Sequence, residues 1–588
     1  MVNPEWKSDP HGDPMDADMV AWAKARHAVP ILRLQFIIRH SSFVIRHSSF
    51  IMRMRPDFGD ITALAGGLMM PFAFAPFGLH GLAILGLALL FQALMGASPR
   101  RAFRRGWIFG LAMFGMGVFW IHESFKFAAV ALPPALLLTG ALVMILALYP
   151  ALFGFFSSLY LWKRKERRPC WAYPPHTGFV LLALPAGWVL TEWVRGRFLS
   201  GFPWLEIGYA HVDSPLAGFA PLLGAYGVGW ASALSAGLVL SAFRMVAMKG
   251  AETVTGKIRG LSVLAMMGCG LWGGAIALGQ VTWTTPTGSR LNVALIQGNV
   301  SQEVKWLPGQ RQATLDRYLS LTQGARARDL VVWPETALPG FYDDFPDFIA
   351  RLGREAKDHD THLLLGVALE TTGPDAGSRR YFNSVAAITG EGIPPHVAGP
   401  HDFPAQHGFY HKRHLVPFGE YLPMASLLRG IVDFLRVPMS DFSPGPPIQV
   451  PLMVAGQRIG VSVCYEAAFG RDIIASLPKA TLLVNISNDA WFGDSPGPHQ
   501  NLQMARMRAR ESGRYLLRGT NTGISAIIDP QGRIIDQAPQ FRVWVLTGAV
   551  TGMVGATPYV RYGDWVIVLL TLAALIVGYG YSCMLTRD

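Results

Sequence analysis

The sequence predicts an α-helical membrane domain with eight transmembrane helices, joined to an extracytoplasmic α/β domain. The chain has 588 residues, of which 51% are hydrophobic and 15% charged. Its mean hydropathy of +0.29 is too high for a soluble enzyme of this length. Long uncharged stretches lie in the first half and at the end, and between them short β-branched runs alternate with amphipathic segments. One part of the chain is therefore expected in lipid and another in water.

The spans follow from the uncharged stretches. Residues 61–99 carry no Asp, Glu, Lys or Arg. A single helix of that length, at about 1.5 Å per residue, would exceed a bilayer core of about 30 Å. We therefore interpret this stretch as two spans, broken near "APFGLHG". Six further spans are predicted at 106–121, within 127–162, at 177–191, within 214–243, within 260–284 and at 565–585.

The basic residues predict the orientation. The net charge is +12, and "RRAFRR" (100–105), "KRKERR" (163–168) and the loop near Lys257 all flank spans. With eight spans these clusters fall on one side, which the positive-inside rule makes cytoplasmic. The large insert is then extracytoplasmic. Nucleic acid is not expected as a partner, because the basic residues are not interleaved with aromatics on one domain.

Four regions are predicted along the chain. They are an N-terminal extension (1–55), a transmembrane domain with seven spans (56–288), the α/β domain (289–563) and a C-terminal transmembrane helix (564–588). The extension contains "FIIRHSSFVIRHSSFI", whose two repeats are too few and too polar for a coiled coil. We interpret it as disordered or as a misassigned start, with initiation near Met52 or Met54.

Three stretches of the insert place a reactive side chain after a β-rich run. "VVWPETALPG" contains Glu335, "FYHKRHLVPFGEY" contains Lys412 and Glu420, and "VSVCYEAAF" contains Cys464. Each alone has an ordinary explanation, as a turn carboxylate, a surface charge or a small core residue. Together they supply a nucleophilic thiol, a carboxylate that accepts its proton and an ammonium that stabilises an oxyanion. The combination indicates thiol-dependent acyl chemistry.

The order and flanking sequences of these stretches resemble the Glu-Lys-Cys triad of the carbon-nitrogen hydrolase (nitrilase) superfamily. A further stretch, "LLVNISNDAWFGDSPGPHQ", belongs to the same resemblance. In the membrane half, "TEWVRGRFLSGFPWLEIGY" is similar to the apolipoprotein N-acyltransferases. The resemblance implies a nitrilase-like α-β-β-α sandwich on the periplasmic face of the inner (cytoplasmic) membrane, attached to eight spans.

The resemblance also implies roles for individual residues. Glu335, Lys412 and Cys464 would be catalytic, with the backbone N–H of Tyr465 as a second oxyanion donor. Supporting or substrate-handling roles are expected for Glu420, which would orient Lys412, and for Tyr465, Glu466, Trp306 and Trp491, with Phe492 beside Trp491 at the acyl pocket. Local ion pairing for Glu466, and core packing or interfacial anchoring for Trp306, stay open.

No metal or cofactor is expected. Of four cysteines, Cys464 is alone in the insert and has no neighbour for a disulfide. His411 and His414 beside Lys412 do not form a zinc-type spacing and are interpreted as structural. A thiol without a nearby cysteine fits a nucleophile that must stay free.

The function implied is acyl transfer from a membrane phospholipid to the N-terminal α-amine of S-diacylglyceryl-cysteine in apolipoproteins, through a thioester. The partners are then phospholipid and diacylglyceryl apolipoprotein, with the enzyme expected as a monomer. Apolar loops near 339–345 or 422–434 are predicted to dip into the membrane. The alternatives are a membrane-tethered amidase or nitrilase acting on a small carbon-nitrogen substrate, and a noncatalytic lipid-binding scaffold.

Overall fold

The computed structural model describes residues 57–128, 130–165, 178–247, 253–372, 378–389, 408–421 and 441–584. The interpretation of residues 1–55 and the membrane-dipping prediction for 422–434 lie outside this part of the chain.

Apolar helices occupy each of the stretches predicted to span the membrane. They are α1 (Phe58–Met69), α2 (Gly81–Leu94), α3 (Pro99–Gly117), α4 (Leu132–Lys165), α5 (Leu184–Arg195, after a π-helical turn at Phe179–Ala183), α6 (Ala220–Ala247), α7 (Val254–Gly279) and a C-terminal helix (Trp565–Met584). In the most apolar window of α7 only 11% of the residues are buried. Apolar helices that expose such surfaces fit a membrane protein.

Fewer of these helices are long enough to cross a bilayer than the sequence predicts. Among the described residues, three segments are long and apolar enough, namely Leu132–Leu159, Pro215–Ala247 and Val254–Gly279. A fourth results if the bent pair Pro99–Gly117 and Phe119–Phe127 is one span. The membrane character of this half is therefore supported, and the count of eight spans stays a prediction.

The insert folds into two six-stranded sheets. The strands are β1 (Thr284–Gln297), β2 (Leu330–Val332), β3 (His362–Thr372), β4 (Arg379–Ile388), β5 (Phe409–His411), β6 (Leu452–Val454), β7 (Gln457–Val463), β8 (Leu482–Ser487), β9 (Leu516–Thr520), β10 (Ala526–Ile528), β11 (Ile534–Gln537) and β12 (Trp544–Gly555). Sheet 1 has the order β12-β1-β2-β3-β4-β5, and sheet 2 has β11-β10-β9-β8-β7-β6. In each sheet three central strands are parallel, β1-β2-β3 and β7-β8-β9, and their outer neighbours are antiparallel.

Helices pack on the outer faces of both sheets. The helices of this domain are α8 (Gln302–Lys305), α9 (Arg311–Gln323), α10 (Pro346–Asp358), α11 (Gly470–Ile474), α12 (Pro496–Ser512) and α13 (Pro558–Tyr562). One buried cluster joins α9 and α10 to sheet 1, a second lies between the sheets, and a third joins α11 and α12 to sheet 2. The predicted α-β-β-α sandwich is confirmed.

Local sequence explains the element boundaries. In α10, Ile349, Leu352 and Ala356 recur at helical spacing and are the buried residues. Helix α12 begins after Ser495, whose hydroxyl accepts a hydrogen bond from the Gly497 N–H, and it ends before Gly513. This capping fixes α12 as the long helix packed on sheet 2.

The loop 339–345 is one of the two segments predicted to dip into the membrane. Its side chains Tyr342 and Phe345 are buried against the outer face of sheet 1, and Phe341 is partly buried and stacks on Tyr381. The side chains that it exposes belong to Asp343 and Asp344. Most of its apolar surface therefore packs against the hydrolase core, and contact of this loop with the membrane stays a prediction.

Candidate active site

Cys464 is the first residue after β7 and has a strained backbone. Its φ of +49° lies in the left-handed region, which residues with a side chain rarely adopt. A short 3-10 helix, Cys464–Ala468, follows directly, and the thiol is partly exposed. Burial and the Glu335 carboxylate raise the pKa of the Cys464 thiol to about 12, although Lys412 acts in the opposite direction. The thiol is therefore neutral at rest and needs a base when it attacks.

Glu335 follows β2 and is held by donors on both carboxylate oxygens. Oε1 accepts a hydrogen bond from Asn383 Nδ2 at 2.7 Å, and Oε2 accepts one from the Asn488 backbone N–H at 2.9 Å. Lys412 Nζ lies 3.5 Å from Oε1. Glu335 is 6% exposed, so these contacts replace solvent. Its orientation is set by three elements at once.

The turn that carries Glu335 packs tightly against β3. A Cβ at Gly366 would lie 2.2 Å from the Pro334 carbonyl oxygen and 2.7 Å from Glu335 Cα. The Ala337 N–H donates to the Gly366 carbonyl at 2.8 Å. Thr336, next to Glu335, has a φ of +44°. Only glycine permits this close approach, which positions the strained turn.

Lys412 directly follows β5 and is 1% exposed. Its Nζ donates to Glu420 Oε1 at 2.8 Å, and its backbone N–H donates to the Asn383 carbonyl at 2.8 Å. Burial acts to lower the pKa of Lys412, but the carboxylates of Glu420 and Glu335 outweigh burial and raise it above its usual value. Lys412 is thus a fixed cation between two carboxylates.

Glu420 closes the loop that follows Lys412. Besides Lys412, its Oε1 accepts from Asn383 Nδ2 at 2.9 Å, and its Oε2 accepts from the Val416 N–H at 2.9 Å. The Asn383 amide therefore bridges Glu335 and Glu420. The structure brings Glu335, Lys412 and Glu420 into one hydrogen-bonded group.

Glu466 is fully buried, and both of its carboxylate oxygens accept hydrogen bonds. Its Oε2 accepts from the Val463 N–H at 2.7 Å and from Tyr410 OH at 2.9 Å. Its Oε1 accepts from the N–H groups of Arg413 at 2.7 Å and His414 at 3.2 Å. Glu466 thereby ties the end of β7 to the segment just after Lys412. The contacts of Glu466 therefore hold the Cys464 turn and the segment after Lys412 together.

Tyr465 joins the Cys464 turn to the membrane half. Its hydroxyl donates to the Gly201 carbonyl at 2.9 Å, and its ring stacks on Trp204 at 5.8 Å. Trp491 and Phe492 lie at the same junction, where they make edge-to-face contacts with Phe127 and Trp120, respectively. The site therefore lies where the hydrolase fold meets the apolar helices.

Trp306 lies beside a second buried lysine, Lys305. It is partly buried, and Lys305 Nζ lies 5.4 Å from its ring centroid. Lys305 Nζ in turn donates to Oγ1 of Thr336, the residue after Glu335, at 2.9 Å. Trp306 is thus linked to the Glu335 turn through Lys305.

The two histidines beside Lys412 have polar partners within the fold. His411 Nδ1 lies 2.8 Å from Ser384 Oγ. His414 Nδ1 lies 2.9 Å from Asp472 Oδ2, and its Nε2 lies 3.1 Å from Ser200 Oγ. In the part of the chain that the structure describes, no group of three or more His, Cys, Asp or Glu side chains fits a metal ion.

Sequence reasoning missed several residues of the site. Asn383 is a polar residue within a buried strand, and Asn488 follows β8 at the edge where the parallel strands end. Both features are signals that strand patterning could have supplied. Lys305 in "QEVKW" has no such signal, because an isolated lysine after a short helix is normally exposed.

The fold and this site define a member of the carbon-nitrogen hydrolase class. The family model described as carbon-nitrogen hydrolase matches residues 292–559, and the model described as the apolipoprotein N-acyltransferase N-terminal domain matches residues 66–238. An apolipoprotein N-acyltransferase of Methylococcus capsulatus is 41% identical over 89% of this chain and 95% of its own. One of Azotobacter vinelandii is 42% identical over 89% of this chain and 94% of its own. This chain belongs to the apolipoprotein N-acyltransferase family.

Proposed function

We propose that this protein transfers a fatty acyl chain from a membrane phospholipid to the N-terminal α-amine of S-diacylglyceryl-cysteine in apolipoproteins. The observation that carries the proposal is the group formed by Glu335, Lys412 and Glu420 beside the Cys464 turn, at the junction with the apolar helices. The family supports the same function and does not favour a small-molecule amidase.

The first half-reaction forms a thioester on Cys464. The Sγ atom attacks the ester carbonyl of the phospholipid while its proton passes to the Glu335 carboxylate. Lys412 Nζ, and the backbone N–H of Tyr465, donate hydrogen bonds to the tetrahedral oxyanion. When the C–O bond breaks, Glu335 returns the proton to the departing oxygen, and a lysophospholipid leaves. Glu335 ends the step as a carboxylate.

The second half-reaction transfers the acyl group to the amine. The neutral α-amine of the lipoprotein attacks the thioester carbonyl, and Glu335 accepts an amine proton as the C–N bond forms. The C–S bond then breaks, and the proton passes from Glu335 to the sulfur. The products are the amide and the free Cys464 thiol, so the cycle closes without a cofactor.

The location of the site fits a lipid donor. Withdrawing an acyl chain from lipid costs about 0.8 kcal/mol per CH2, or on the order of 12 kcal/mol for a palmitoyl-length tail. A site that opens laterally at the apolar helices avoids most of this cost. The ring contacts of Trp491 with Phe127 and of Phe492 with Trp120 support the proposal that Trp491 and Phe492 line the acyl path.

Acyl-enzyme formation tests the assignment of the nucleophile. The full-length protein in detergent micelles is incubated with a phospholipid that carries an alkyne-tagged acyl chain. We expect label on the wild type and on Cys269→Ala, a control at the exposed cysteine of α7, but none on Cys464→Ala. Label that persists in Cys464→Ala would refute the assignment. Complementation of a strain lacking this activity, with mass spectrometry of the lipoprotein N-terminus, tests the acceptor.

The proposed setting is an eight-span monomer in the inner membrane with the hydrolase domain on the periplasmic face. The flanking basic clusters at 100–105 and 163–168 support this orientation. A reporter that is active only outside the cytoplasm, fused within 289–563, is expected to be active. Activity of a cytoplasm-specific reporter at that position would reverse the topology.

A further inference from the structure

Helix α8 is tied to the residues that hold Glu335. Near its start, Gln302 Oε1 accepts a hydrogen bond from Asn488 Nδ2 at 2.9 Å, and the backbone N–H of Asn488 donates to Glu335 Oε2 at 2.9 Å. At its end, Lys305 Nζ donates to Thr336 Oγ1 at 2.9 Å. Both ends of the helix therefore reach Glu335 through one intermediate residue.

Lys305 is buried without a carboxylate of its own. It is 2% exposed. Among the described residues, no carboxylate oxygen lies within 4.0 Å of its Nζ. Its direct contacts are the Thr336 hydroxyl and the face of the Trp306 ring, which attracts a cation. A buried ammonium with so little compensation is unfavourable for folding, so its presence calls for a reason beyond packing.

The surroundings of Lys305 differ from those of Lys412. Burial lowers the pKa of Lys305 to about 8, and the Glu335 carboxylate opposes this effect. Lys412 has two carboxylates within 4.0 Å, those of Glu420 and Glu335. Among the described residues, Lys305 has none at that distance and donates instead to the Thr336 hydroxyl.

We propose that Lys305 is a positioning residue for acyl transfer, which holds the Glu335 turn in place through its hydrogen bond to Thr336. This inference rests on the proposed function. Lys305 neither gains nor loses a proton in the reaction. The proton still passes from Cys464 Sγ to Glu335 and then to the leaving oxygen. A fixed turn keeps the Glu335 carboxylate in place for each of these transfers.

The test is the rate of Cys464 acylation in single turnovers, with the full-length protein and the alkyne-tagged phospholipid. In Lys305→Met we expect the rate to fall by about tenfold, because the Glu335 turn loses its hydrogen bond. Lys305→Arg keeps a donor for Thr336 and should retain most of the rate. Thr336→Val removes the same hydrogen bond from its other end, so the double variant should be no slower than either single variant. Lys357→Met, at an exposed lysine of α10, is the matched control and should match the wild type.

Thermal unfolding separates this role from a structural one. Replacing a buried, poorly compensated ammonium by Met should leave the unfolding temperature equal or higher while acylation slows. If Lys305→Met does not fold, Lys305→Leu takes its place, with the same expected loss of rate.

A wild-type acylation rate in Lys305→Met would overturn the inference, and so would a rate loss that only follows a lower unfolding temperature. A wild-type protein that never acylates Cys464 would instead overturn the proposed function. The two failures are therefore distinguishable.

Discussion

Two buried lysines lie around the Glu335 turn, Lys412 on what we call the first side and Lys305 on the second, but their surroundings are built differently. Lys412, 1% exposed, lies between Glu335 and Glu420, which raise its pKa. Lys305, 2% exposed, contacts a hydroxyl and an indole ring, and burial lowers its pKa to about 8. Equal burial therefore gives opposite electrostatic outcomes, because the number of nearby carboxylates differs.

The difference suggests different tasks. A cation held by two carboxylates is permanently charged and rigidly aimed, as an oxyanion donor must be. A lysine whose hydrogen bond goes to the hydroxyl of Thr336, next to Glu335, instead holds that turn in place. The structure thus separates the proposed contact with the substrate, through Lys412, from the proposed support of the base, through Lys305.

The largest effect should come from removing the cation on the first side. Lys412→Met deletes the proposed oxyanion donor, so acylation of Cys464 should fall by about 10²–10³-fold. Single-turnover labelling with the tagged phospholipid measures this rate. Lys357→Met controls for loss of an exposed lysine. A Lys412→Met rate within about tenfold of wild type would mean that Lys412 does not stabilise the oxyanion.

Glu420→Gln should weaken the contribution of Lys412 by lowering the pKa of that lysine. Glu420 is the leading carboxylate that raises the pKa of Lys412, so its neutralisation lets burial pull that pKa down. Lys412 is active when protonated. The alkaline limb of the activity profile should therefore move to lower pH by about one pH unit or more. The alkaline limb of the acylation profile measures the shift. Glu370→Gln, at a surface pair with Arg379, should leave the limb unchanged, and an unmoved limb in Glu420→Gln would contradict the assignment.

Asn383→Ala tests the bridge between the carboxylates. The change removes one amide that donates to both Glu335 and Glu420, and it leaves the Glu335 acceptor buried and the Glu420 acceptor partly buried. Stability should fall by about 1–3 kcal/mol, and acylation should slow by about tenfold because Glu335 loses one of its fixed contacts. Denaturant unfolding and single-turnover labelling measure the two effects. Unchanged stability together with an unchanged rate would show that the bridge has no role.

Gln302→Leu should have the smallest effect, and it lies on the Lys305 side. The backbone contact from Asn488 to Glu335 stays in place, and only the side-chain bond from Asn488 to Gln302 is lost. The expected cost is about 1 kcal/mol of stability, with a rate change of a few-fold. A loss as large as that of Lys412→Met would show that the second side is as important as the first.

Strand patterning predicted an α/β domain and three reactive residues after its strands, and the family resemblance implied the sandwich. Glu335 and Cys464 each follow a strand of a parallel set, β2 and β7, and Lys412 follows β5. Such positions can be read from the sequence because a β-rich run that stops at a polar residue marks the end of a strand. The contacts of Glu466 could not be read in this way. Its partners come from segments more than fifty residues earlier as well as from its own turn.

The sequence by itself determined the membrane character, the α/β alternation and the order of Glu335, Lys412 and Cys464, because composition and periodicity are local properties of the chain. Only the tertiary structure decided that Lys305 supports the turn of Glu335, across 31 residues, and that Asn383 joins two carboxylates. It also showed that the loop 339–345 packs inward. These features depend on which segments the parallel strands bring together. In a buried site, where water does not weaken polar contacts, a single lysine or asparagine then has a large effect on its polar neighbours.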